Sequence, residues 1–181
     1  MTTGVLPAQI LRSLIASGAI AADPPVREDQ LQPASLDLRL GQVAYRVRAS
    51  FLAGKGNTVA ARLKEFTMHR IDLTEGAVLE KNCVYLIPLA EALALPAGIT
   101  AVANAKSSSG RLDLLTRTIT DGDRALYGSL YPTRFAVPSS AAFAAACGLT
   151  NAPVEELIGF HIAFGKTVPD VSLNAVANLG Y

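Results

Sequence analysis

The sequence contains no tryptophan and only two cysteines, two histidines and two methionines in 181 residues. Aromatic residues make up 6%, too few for the stacking platforms that single-stranded nucleic-acid binders use. Charged residues are 17% and the formal net charge is +1, so the chain has no bulk electrostatic footprint for nucleic acid. No apolar run reaches the roughly 20 residues needed to span a bilayer. The N-terminus has no charged segment followed by an apolar core, so no secretory signal is read. The expectation is a cytoplasmic chain with neither a membrane nor a nucleic-acid partner. Cys83 and Cys147 sit among apolar or small residues and read as buried free thiols of a reducing compartment. Cys-x-x-Cys and His-x-Glu patterns are both absent, and His69 and His161 have no partners at ligand spacing, so zinc is not expected.

Half of the residues are hydrophobic, enough to bury one core, and the length suits one domain with an appendage. Pro7 to Ser17 reads as a short helix: Ile10, Leu11, Leu14 and Ile15 recur at helical spacing and Gly18 suits the stop. Leu36, Leu38 and Leu40 alternate with Asp37 and Arg39, the pattern of a half-buried strand. Val43, Tyr45 and Val47 form a second such run, and Ala49 to Thr58 reads as a glycine-containing loop. His69 to Leu73, Ala77 to Leu89, Ile99 to Ala103 and Leu112 to Thr118 read as further strands, while Glu91 to Leu95 is ambiguous. Many short strands separated by turns favour an all-β barrel or jelly-roll-like body with a small N-terminal helix.

The most informative stretch is Lys106-Ser107-Ser108-Ser109-Gly110-Arg111, set between two of those strands. It gathers two cations, three hydroxyls and a glycine. Hydroxyls and backbone N–H groups can surround phosphate oxygens, and glycine permits close approach. Arginine offers a fork of donors where lysine is a point charge, so Lys106 holds a phosphate with less directional control. A solvated turn is the plainer reading of the same residues. Asp37 and Arg39, on the polar side of their strand, read as members of cross-strand or intersubunit ion pairs.

Three segments together resemble the dCTP deaminase branch of the dUTPase-like superfamily. They are Leu31 to Gly41 (LQPASLDLRLG), the run from Leu79 through Leu95-Pro96, and Lys106 to Arg111, which is similar to the family's Arg-Ser-Ser-x-x-Arg element with lysine in first place. The likeness is greatest to the longer deaminases built from two such units, and it covers residues 5 to 131. It implies a mainly β, β-clip or distorted jelly-roll fold and a homotrimer with active sites between subunits. It also implies hydrolytic deamination of dCTP to dUTP, with Mg²⁺ carried on the triphosphate and no metal at the reacting carbon. Residue by residue, it places Ser107 and Arg111 near the reacting base as catalytic groups. Lys106, Ser108, Ser109 and the backbone at Gly110 become substrate contacts. Thr120 is assigned to the base and Asp123, or Asp121, to the sugar. Thr120 reads equally as an ordinary strand residue, and the aspartates as turn carboxylates.

One departure stands out. The family's general base is a glutamate five residues after a glycine, and Gly128-Ser129-Leu130-Tyr131-Pro132-Thr133 puts Thr133 in that place. Threonine cannot serve as a general base near neutral pH. The chain therefore divides into a β domain over 1–131 and a divergent, helix-prone tail over 132–181. In the tail, Ser139 to Cys147 and Asn151 to Glu156 both look like helix starts. A frame shift near the codons for Tyr131 to Thr133 is one explanation. Read from the third base of each codon, Ala146 to Asn151 can encode Met-Arg-Leu-Asn-Gln, similar to a C-terminal strand of the family. The functional alternatives are an active deaminase, a truncated or frame-shifted inactive nucleotide binder, and a dUTP-hydrolysing or bifunctional relative.

Overall fold

The computed structural model describes residues 3–54, 56–120, 124–148 and 158–166. The two largest sheets carry the fold. One runs in the order β5 (Thr67–Asp72), β4 (Val43–Val47), β7 (Val84–Leu93), β10 (Ala125–Pro132), β9 (Leu114–Ile119), with β2 (Ile20–Ala22) pairing the far end of β7. In the other, β12 (Phe160–Lys166) is flanked on one side by β1 (Gly4–Val5) and β3 (Leu36–Leu38), and on the other by β8 (Ile99–Ala105). All these pairings are antiparallel. A small ribbon joins β6 (Val78–Leu79) to β11 (Val137–Pro138).

Strands β7 and β10 bury both faces, which is why their sequences lack clean alternation. Tyr85 and Ile87 of β7, with Leu126 and Leu130 of β10, enter the main core alongside Phe160, Ile162 and Phe164 of β12. Leu86 and Tyr127 point the other way, into a smaller core that α2 (Val59–Phe66) closes with Val59 and Leu63. The hydroxyl of Thr58 caps α2 by accepting the Ala61 N–H at 3.1 Å, an arrangement that stabilises a short helix. Between the two cores Gly128 is packed so tightly that a Cβ there would lie 2.7 Å from the Phe160 ring. The two sheets can approach at this point because position 128 has no side chain.

One carboxylate is fully buried. The Glu91 side chain has no exposed surface, and Arg39 opposite it keeps only 13%. Arg39 Nε donates to Glu91 Oε1 at 2.8 Å and the Arg39 backbone N–H donates to Oε2, also at 2.8 Å. Gln30 Nε2 adds a third donation at 2.9 Å. Gln30 also donates to the Asp37 carbonyl and accepts the Arg27 N–H. The expected ion pairs are present within one chain: Arg39 with Glu91, and Asp37 with Lys106.

Helix α1 (Ala8–Ala16) occupies its expected place, and Leu11 and Leu14 are its buried face. The apolar run after Ala77 is broken by a turn at Asn82, where φ is +61°. The ambiguous segment after Glu91 is divided, with Glu91 to Leu93 completing β7. Helix α2 has no counterpart in the sequence reading. Helix α4 (Ala141–Ala146) forms as expected, capped by Ser140, whose Oγ accepts the Phe143 N–H at 3.1 Å. It follows the β6–β11 ribbon, where Ser139 and Ala77 exchange two hydrogen bonds. Two expectations for the tail are altered. Residues 160–166 form a strand rather than helix, because Phe160, Ile162 and Phe164 alternate into the core. Cys147 is exposed just after α4 rather than buried, and Cys83 is half-buried. The second helix start, at Asn151, lies outside the described residues. Among the described residues, no helix is long and apolar enough to cross a membrane.

Removing the buried anion strands its donors. Glu91→Ala is expected to lower unfolding stability by about 3 kcal/mol, read as the shift of the urea midpoint at constant slope. Gly128→Ala is expected to cost about 1–3 kcal/mol through overpacking against Phe160.

Candidate active site

The hexapeptide does not form an open loop. Ser107–Arg111 is a single helical turn, α3, between β8 and β9. The tight turn follows from its composition: short polar residues with no β-branching, and a glycine near the end. Leu112 closes the turn by donating to the Ser108 and Ser109 carbonyls at 3.2 Å each. Asp113 then takes a left-handed conformation, with φ at +52°, which aspartate tolerates better than most residues.

The six residues have different environments. Ser107, Gly110 and Arg111 are exposed, Lys106 and Ser108 are half-buried, and Ser109 is fully buried. Ser107 and Arg111 stand four residues apart on one helical turn, so they share a face. That face can present a hydroxyl and a forked cation to the same ligand. Ser109 is committed elsewhere. Its Oγ donates to the Gly159 carbonyl at 3.0 Å and accepts the Gly159 N–H at 3.1 Å. The Lys106 N–H also donates to the Gly159 carbonyl, at 2.9 Å. Ser109 is thus placed as an anchor of the cradle.

Lys106 reaches across to β3, and its Nζ lies 2.7 Å from Asp37 Oδ2. Gly159 leaves room for the lysine stem, since a Cβ there would fall 2.6 Å from Lys106 Cδ. Past the hexapeptide, Thr133 donates from both its N–H (3.1 Å) and its Oγ1 (2.7 Å) to the Asp113 carbonyl. Arg134 Nε lies 3.7 Å from Asp113 Oδ2. The position where a general base was expected therefore borders the hexapeptide, but a threonine hydroxyl tied to the backbone occupies it.

Thr120 is exposed beyond the end of β9. The hexapeptide meets β9 at the opposite end, so the two are separated by roughly 20 Å of strand. Asp121 and Asp123 lie outside the described residues, as do Glu155 and Glu156. No group of three or more His, Cys, Asp or Glu side chains converges among the described residues. Sequence reasoning missed Gly159 and Arg134 as neighbours of the hexapeptide. Neither carries a local signal, because both come close only through the fold.

A separate cleft of about 320 Å³ is lined by Arg46, His69, Ile71, Val78, Glu80 and Tyr85. Arg46 and Glu80 form an ion pair across it at 2.7 Å. Burial pushes the Tyr85 phenol above its usual range, partly offset by the Glu80 N–H that its oxygen accepts at 2.8 Å. None of the hexapeptide residues lines this cleft.

The body is mainly antiparallel β with a short serine-rich turn between two of its strands, and its fold is of the dUTPase-like type. The model for the N-terminal domain of 2′-deoxycytidine 5′-triphosphate deaminase matches residues 2–130, and the chain belongs to that family. It is similar to the crystal structure of 2′-deoxycytidine 5′-triphosphate deaminase from Agrobacterium tumefaciens, with 40% identity and a TM-score of 0.79. That match covers 92% of this chain and 48% of the deaminase, so the chain spans about half the length of its structural relative. A different likeness covers 65 residues. This stretch is 68% identical to mesaconyl-CoA hydratase of Cereibacter sphaeroides and 66% identical to beta-methylmalyl-CoA dehydratase of Chloroflexus aurantiacus. It amounts to 36% of this chain but only 19% and 18% of those enzymes.

Loss of the Ser109 hydroxyl would leave the Gly159 N–H without its acceptor. Ser109→Ala is expected to destabilise the fold by about 1–3 kcal/mol, measured by chemical denaturation. Ser107→Ala, at an exposed position, is expected to leave stability within about 0.5 kcal/mol of the parent.

Proposed function

We propose that this chain is a deoxycytidine-triphosphate-binding unit of the dCTP deaminase family. Its relatives' reaction is hydrolytic deamination of dCTP to dUTP, and the chain lacks a competent general base where that family places one. The observation that carries this reading is the pairing of a family-matched hexapeptide with Thr133 beside it. Ser107 and Arg111 face outward together toward the base. Lys106, Ser108 and the backbone at Gly110 contact the phosphates, with Mg²⁺ riding on the triphosphate. Deamination at C4 requires a proton to be taken from the attacking water, and the Thr133 hydroxyl is too weak a base and is already donating to a carbonyl.

The separation of Thr120 from the hexapeptide within one subunit supports a site shared between subunits, as in a homotrimer. Base and sugar contacts from the Thr120–Asp123 segment of one copy would then meet the hexapeptide of another. Dephosphorylation of dUTP is the competing activity on this scaffold, and release of pyrophosphate would reveal it.

A frame shift near the codons for Tyr131 to Thr133 is tested by sequencing genomic DNA across them: an inserted or deleted base relative to intact family members supports it, and an unshifted frame removes it. The 65-residue likeness represents less than a fifth of mesaconyl-CoA hydratase or of beta-methylmalyl-CoA dehydratase, so no hydration of mesaconyl-CoA is proposed.

Purified protein incubated with dCTP and Mg²⁺ is expected to bind the nucleotide saturably and to form no dUTP above background. Arg111→Ala is expected to weaken binding about 10- to 100-fold, the range for losing a charge-assisted hydrogen bond. Formation of dUTP would overturn the assignment of an inactive site. Unchanged binding by Arg111→Ala would overturn the role of that residue.

A further inference from the structure

Lys106 is the first cation of the hexapeptide, yet its ammonium group is held by a carboxylate. Nζ lies 2.7 Å from Asp37 Oδ2, and the two side chains retain only 23% and 18% of their exposure. The absence of a side chain at Gly159 lets the lysine stem lie down toward β3. Gln32 Nε2 lies 3.4 Å from the same Asp37 oxygen, and His161 stands opposite Asp37 in the β3–β12 register. The carboxylate therefore has a donor beside it even when Lys106 moves away. A shielded pair is screened less by salt and water than a surface pair, so an incoming anion must compete with Asp37 for the lysine.

We propose that Asp37 is a positioning residue that holds Lys106 in reserve, so that an anion gains the lysine only by displacing the carboxylate from it. The proposal rests on the reading of the hexapeptide as a phosphate contact. Its physical basis is competition. The carboxylate lowers affinity for an anion by the cost of breaking the pair, and a polyphosphate, with further charges to spend on Arg111 and the backbone, still binds measurably. The pair also explains why a lysine can stand in this place. A point charge on a flexible stem can swing between two acceptors more easily than a forked guanidinium can.

The test is calorimetric titration of tripolyphosphate and of inorganic phosphate into the full chain and its variants. Asp37→Asn is expected to bind tripolyphosphate about tenfold more tightly and inorganic phosphate more tightly as well. Asp37→Ser, which shortens the side chain, is expected to act in the same direction and guards against a folding defect in the first variant. In a Lys106→Met background, Asp37→Asn is expected to give less than a twofold change. A merely structural Asp37 would alter the thermal midpoint without raising the affinity for tripolyphosphate. If the parent binds tripolyphosphate and its affinity is not raised in either Asp37 variant, the competition is refuted while the phosphate site stands. If neither the parent nor any variant binds tripolyphosphate, the phosphate site is refuted and the competition with it.

Discussion

The fold and the candidate site both depend on one strand, β12. It lies between β8 and the pair β1 and β3, with register partners on both sides at Phe160, His161 and Ile162. Three of its residues, Phe160, Ile162 and Phe164, are almost completely buried. Withdrawing it would open a row of unpaired backbone groups on β8 and β3, the kind of edge that invites association with other chains. It would also remove Gly159, whose N–H and carbonyl anchor Ser109 and the start of the hexapeptide. The cradle is thus held by residues that lie beyond the deaminase-family match, which ends at residue 130. A strand that supplies apolar alternation and backbone hydrogen bonds can fill this place whatever its ancestry, because sheet pairing asks little of side-chain identity beyond the pleat.

A second constraint operates where β7 meets the segment following β3. A carboxylate with no exposed surface is tolerable only when its oxygens are fully matched. Glu91 meets that condition through the Arg39 side chain, the Arg39 backbone and Gln30. The network joins β7 to the segment following β3, and it reaches Pro24 through the Arg39 guanidinium, 2.6 Å from that carbonyl. It holds the strand that carries Asp37, since Gln30 also donates to the Asp37 carbonyl at 2.8 Å. The position of the carboxylate facing Lys106 is thereby linked to a polar cluster deep in the protein.

The β elements were legible wherever one face met solvent. Leu36 and Leu38 around Asp37, and Val43 to Val47, announce themselves by alternation. Legibility fell where both faces were buried or where composition misled. Glu91 to Leu93 continues a strand, but its Ala-Glu-Ala-Leu surroundings suit a helix equally well. Helix α2 was missed because Arg62, Lys64 and Glu65 dilute its apolar face to Val59, Leu63 and Phe66. The tail was read as helical from its alanines and its proline-led acidic turn, and the Phe-x-Ile-x-Phe alternation at 160–164 was overlooked. At the site, the hexapeptide was legible as chemistry but not as shape. The commitment of Ser109 and the closeness of Gly159 and Arg134 arise from contacts between segments distant in sequence, which no local pattern encodes.

The hexapeptide and the position where a general base was expected are built on different parts of this scaffold. The hexapeptide is braced by β8, by Gly159 and by the ion pair to β3, three supports that do not involve residue 133. The expected proton acceptor would stand where β10 gives way after Pro132, at the point where the family pattern stops. Thr133 donates twice to the Asp113 carbonyl and so braces the turn that ends the hexapeptide. The hexapeptide turns Ser107 and Arg111 outward and balances Lys106 with Asp37. Activation of water needs a group whose proton affinity matches the task, and a hydroxyl engaged with a backbone carbonyl, as at Thr133, does not meet that requirement.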